Sequence, residues 1–61
     1  MTTFAKYSYL VRLHLVNSVG HSRGDALAIV RAERVFVRAH FDALTHPCRA
    51  AALASVRHQF N

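Results

Sequence analysis

One cysteine, one proline, two glycines and no tryptophan leave this 61-residue chain few covalent or conformational constraints. A lone cysteine cannot staple its own chain, which excludes the disulfide-built class of small secreted domains and fits a reducing cytoplasm. Cys48 therefore reads as a small apolar packing residue. No apolar run reaches the roughly 18–20 residues that a membrane-spanning helix needs. Lys6 and Arg12 interrupt the amino-terminal apolar stretch and no small-residue cleavage site follows, so no secretory signal is expected.

Acid is scarce too. Asp25, Glu33 and Asp42 stand against eight cations, seven of them arginine, for a net charge of +5. So few carboxylates give no paired-carboxylate site, and no phosphate loop or nucleophile elbow is present. Five histidines raise the question of a metal, but the nearest set, His40, His46 and Cys48, matches no zinc-ligand spacing. The expectation is a chain that is not an enzyme, with no catalytic residue, cofactor or metal.

What is plentiful is apolar surface. Hydrophobic residues make up 52% of the chain. A single domain spanning 1–61 can bury only about 60% of the surface its unfolded chain exposes. Domains of this size usually lean on another chain, so a homo-oligomer, a two-fold dimer by preference, is expected.

Two punctuation points, Gly20-His21-Ser22-Arg23-Gly24 and Thr45-His46-Pro47, divide the chain into three segments. In the middle segment, Ser22 followed by Asp25 offers a hydroxyl for the free amides and an acid near the positive helix end. A long central helix is predicted over 23–44. Ala26, Ile29, Val30, Val37, Phe41 and Leu44 share one of its faces. Arg31, Arg34 and Arg38 form a stripe beside that face, and Asp42 can pair with Arg38 or His46. Ala28, Ala32, Val35 and Ala39 make a third, small apolar strip that would let a second helix approach closely. Glu33 falls inside the apolar stripe. A buried lone carboxylate would be costly, so it calls for an arginine or histidine partner from another helix, or for a specificity role at an interface.

The third segment has Thr45 or His46 as cap and Pro47 in the first turn, where its missing amide is harmless. A helix over 47–59 is predicted, with Leu53, Val56 and Phe60 on its packing side. The first segment, 4–18, reads as a helix with Phe4, Tyr7, Val11, Leu15 and Val19 on one face and Tyr9, Leu13 and Val16 opposite. It also alternates as a strand from Tyr7 to Leu15, which would have to pair across a dimer.

The fold expected is all-α: three helices over 4–18, 23–44 and 47–59. Its core comprises Val11, Leu15, Ile29, Val30, Val37, Phe41, Leu44, Leu53 and Val56. The candidate interaction surface comprises Arg31, Arg34, Arg38, Glu33, Leu13 and Val35.

The stretch from Ser18 to Val30 resembles the turn of ribbon-helix-helix repressors, where a glycine ends the first helix and a Ser-Arg pair opens the second. That resemblance implies a DNA-reading strand over Thr2 to Tyr7. Gly24 departs from the family's usual residue, and the carboxy-terminal helix would be an addition. In length, single-domain organisation, compact helices and opening Met-Thr-Thr, the whole chain is similar to the small early-region proteins of lambdoid phages, encoded between the recombination and excision genes. That resemblance implies a regulator that contacts a host protein in the host cytoplasm, and it carries no site residues. The functional expectation is a regulatory or adaptor protein that binds a protein partner. The alternative is a DNA-binding regulator of ribbon-helix-helix or helix-turn-helix type that uses the arginine stripe on phosphates. The two differ in salt dependence, which is steep for phosphate binding.

Overall fold

The structure is a computed structural model that describes residues 2–60. Thr3 opens the first helix, α1 (Phe4–His14), by accepting the Lys6 amide on its hydroxyl at 3.1 Å. This satisfies one of the amides that a helix start leaves free. The helix widens into a π-helical turn, Leu15–Val19, and stops at Gly20, whose φ of 98° suits a residue without Cβ. Segment 4–18 is thus helical, and no strand occurs among the described residues. The stretch that would be a ribbon-helix-helix DNA-reading strand is already helix from Phe4 onward.

Ser22 caps α2 (Arg23–Ala32), accepting the Asp25 amide at 3.1 Å, with Asp25 in the first turn. The expected long central helix does not continue unbroken. Glu33 takes φ −104° and ψ 27°, and a separate helix, α3 (Arg34–Asp42), follows. The described residues therefore form four α-helices where three were expected. A straight helix over 23–44 would extend about 33 Å at 1.5 Å per residue. The molecule's longest dimension is 28 Å. The break lets both halves wrap one small core, and it carries no proline or glycine that sequence inspection would flag.

His46 caps α4 (Pro47–Gln59), its Nδ1 accepting the Cys48 amide at 3.1 Å, with Pro47 in the first turn. The core consists of Tyr7, Val11, Leu15, Ala26, Ile29, Val37, Ala50, Ala51 and Ala54, with Phe4, Val16, Val30, Phe36 and Phe41 packed around it. Val11, Leu15, Ile29 and Val37 are buried as expected, and Val30 and Phe41 are partly so.

Three core expectations are overturned. Leu44 is 91% exposed, Val56 is 54% exposed, and Leu53 is exposed as well. Leu44 is turned out by the chain reversal that ends α3, and for Leu53 and Val56 the cause is the orientation of α4. It turns Ala50, Ala51, Ala54 and Ser55 inward, because small side chains let it lie close against α1. Cys48, expected to pack, is exposed for the same reason. Buried Ser55 is hydrogen-bonded to His21 Nε2 at 2.8 Å, tying α4 to the turn before α2.

Tyr7 joins the other end of the bundle. Its hydroxyl donates to the Thr45 carbonyl at 2.7 Å, and its ring meets Phe41 edge-on at 5.3 Å. Burial raises the Tyr7 phenol above its ordinary value, because the interior disfavours phenolate. No helix among the described residues is long and apolar enough to cross a membrane.

Candidate interaction surfaces

The arginine stripe survives the break at Glu33. Arg31 lies in the last turn of α2, and Arg34 and Arg38 project from α3; all three are exposed. Arg34 and Arg38 lie over the Phe4 ring, their guanidinium carbons 5.7 Å and 5.0 Å from its centroid. Arg38 also reaches the Phe41 ring at 5.5 Å and pairs with Asp42 at 3.4 Å. Of the two partners open to Asp42 in the sequence, Arg38 is the one it meets. Stacking and ion pairing thus engage part of the stripe with the protein itself. Exposed ion pairs of this kind contribute little to stability.

Glu33 does not lie on an open surface. It is 8% exposed, with Arg57 Nε donating to Oε1 at 2.7 Å and His58 Nδ1 3.6 Å from Oε2. The arginine or histidine partner expected from another helix is both residues of α4. The guanidinium of Arg57 also covers the Phe36 ring at 5.2 Å. Glu33 therefore pins the α2–α3 break to the last turns of α4.

Leu13 is partly buried. It lines a groove of about 540 Å³ with Tyr9, Val16 and Leu27, and Arg12 and Arg23 lie at the sides. Arg12 stacks over Tyr9 at 5.2 Å. Val35 is 86% exposed, and Ala28, Ala32 and Ala39 are exposed with it. The sequence candidates therefore do not form one site. Arg31, Arg34 and Arg38 cluster near Phe4, Leu13 belongs to the α1–α2 groove, Val35 faces solvent, and Glu33 is interior.

Two surfaces were missed. On α4, Leu53, Val56 and Phe60 occupy one outward stripe with Arg49 at its start, and Phe60 is 82% exposed. The signal was present: Ala50, Ala51 and Ala54 share the opposite face, and size alone favoured the wrong one. The second surface surrounds Leu44. There α3 ends with the Leu44 amide donating to Phe41 O at 3.1 Å and the Thr45 amide donating to His40 O at 2.9 Å. This is a Schellman turn, whose left-handed position usually holds glycine. Here Leu44 holds it, with φ 61°. Among the described residues no group of three His, Cys, Asp or Glu side chains is placed to hold a metal ion.

No protein-family model matches the chain, and no curated protein or solved structure matches it.

Proposed function

We propose that this protein is a small non-enzymatic regulator or adaptor that acts by binding another protein. The observation that carries this reading is the outward face of α4. A helix that buries alanine and exposes leucine, valine and phenylalanine leaves much of its hydrophobic potential for another surface.

The chemistry of the face favours an acidic occupant. It begins with Arg49, and α4 contains no carboxylate. The three carboxylate side chains lie elsewhere: Asp25 in the first turn of α2, Glu33 against Arg57, and Asp42 against Arg38. Two α4 faces brought together would offer Arg49 no carboxylate on either helix. An amphipathic helix with apolar anchors at three- and four-residue spacing and carboxylates at its rim matches both features. On the resemblance to lambdoid-phage early proteins, the partner we propose is a protein of the bacterial host, met in the host cytoplasm. Self-association, proposed alongside, uses a different surface.

The test compares affinity capture from the host by the wild-type chain and by Val56→Glu, with cross-linked peptides identified by mass spectrometry. The expected result is a partner that cross-links to α4 through an acidic amphipathic helix and is lost with Val56→Glu. Equal recovery by both chains overturns the reading. Tight, salt-sensitive binding to duplex DNA that disappears on replacing Arg31, Arg34 and Arg38 with alanine would instead establish the nucleic-acid alternative.

A further inference from the structure

Leu44 combines three features that do not belong together in a residue serving only its own fold. Its backbone lies in the left-handed region at φ 61°, where a side chain with a Cβ is strained. Its side chain is 91% exposed, so the strain is not offset by burial. It also stands at the lip of a hollow of about 780 Å³, formed with Tyr7, Leu10, His14, Phe41 and Pro47. A glycine would satisfy the Schellman turn without strain. The leucine is held out from the surface beside an apolar recess large enough to receive a leucine side chain.

We propose that this knob and hollow form the self-association surface, with Leu44 of each copy seated in the hollow of a second copy. Self-complementarity is the first argument. A two-fold interface requires one patch to carry both the inserted group and its receptor, and a knob beside its own hole meets that requirement. Charge is the second. In a chain of net charge +5, most surfaces would repel a second copy. Neither lysine nor arginine is among the residues lining this hollow; its basic groups are His14 and His46, and Asp42, paired with Arg38, stands at its edge. Docking here brings together two surfaces that carry no lysine or arginine of their own. The Val35 strip and the α4 stripe lack this feature, since Arg31, Arg34 and Arg38 are close in sequence to the one and Arg49 begins the other.

Analytical ultracentrifugation between 1 and 200 µM, roughly, spans the range where a modest dimer forms. The wild-type chain is expected to dimerise in this range. Leu44→Gly should weaken the dimer by about tenfold or more. At a dilution where the wild type is monomeric, its Tm should be equal or higher, because the strain is gone. Leu44→Met should restore the dimer, since it returns a flexible apolar knob. Val35→Glu and Val56→Glu should leave the dimer intact, which separates this surface from the α4 face: failure of either does not carry the other with it. A wild type that is monomeric at every concentration overturns the proposal. So does a Leu44→Gly chain that dimerises as tightly as wild type, or a dimer that Val35→Glu or Val56→Glu dissociates. A lower Tm for monomeric Leu44→Gly overturns the strain argument on which it rests.

Discussion

Glu33 and Arg57 are unequal partners, and that inequality predicts an asymmetric response to substitution. The Glu33 side chain is 9% exposed and that of Arg57 is 52% exposed. Replacing Arg57 strands a carboxylate in the interior with only His58, 3.6 Å away, to receive it. Breaking a buried pair in this way costs about 3–5 kcal/mol, and the half-exposed partner places this case near the lower end. Replacing Glu33 with glutamine leaves an amide that still accepts the Arg57 hydrogen bond, and the guanidinium regains water. That loss should be about 1 kcal/mol.

Methionine at position 57 keeps an apolar stem over Phe36 and so limits the change to charge and hydrogen bonding. The double variant separates the two terms. In a Glu33→Gln background no charge is stranded, so Arg57→Met should cost only the lost cation–π contact and the hydrogen bond to the amide at position 33, about 1–2.5 kcal/mol together. A chain of 61 residues has a total stability of about 3–9 kcal/mol. Arg57→Met alone should therefore remove a third or more of it. Urea unfolding followed by far-ultraviolet circular dichroism measures each variant, and an unchanged slope shows that only stability has moved. Equal losses for Glu33→Gln and Arg57→Met, or a larger loss for Glu33→Gln, would refute the reasoning.

The orientation of α4 is tested by two substitutions of opposite expectation. Ala54 is fully buried, so Ala54→Leu should overpack the α1–α4 contact and cost about 1–3 kcal/mol, whereas Val56→Ala should cost less than about 1 kcal/mol. The reverse ranking in chemical denaturation would show that α4 faces the other way. The raised phenol of Tyr7 predicts an alkaline limit to stability. An unfolded chain loses the Tyr7 proton near pH 10 while the folded one retains it, so stability is full below about pH 10 and falls as pH rises beyond it. In Tyr7→Phe this share of the fall should vanish, and an unchanged alkaline profile counts against the burial argument. Removing the α2 cap with Ser22→Ala should cost about 0.5–2 kcal/mol in the same assay, and a neutral result would mean that Asp25 alone supports that helix start.

Local chemistry determined where α2 and α4 start, while segment 4–18 stayed open between helix and strand. Ser22 and Asp25 mark α2, and His46 and Pro47 mark α4, because a helix end leaves amides that neighbouring side chains must satisfy. The buried faces of α1 and α2 were legible too, since Tyr7, Val11 and Leu15 recur at helical spacing, as do Ala26 and Ile29. The need of Glu33 for a cationic partner was legible from the cost of a lone buried carboxylate, although which cation would answer was not.

Tertiary structure decided three things. It broke the central helix at Glu33, where no breaker residue stands, because a straight rod would outrun so small a core while Arg57 and His58 hold the carboxylate at the bend. It chose between two apolar faces of α4, since closeness of approach favoured alanine over leucine and valine, a preference set by the opposing helix. It also carried Leu44 past the end of the core. Position 44 continues the apolar period of the helix, but the Schellman turn reverses the chain just there and leaves its side chain in solvent. A periodic pattern fixes which side chains share a face. Which face is covered depends on the shape and charge of whatever meets it.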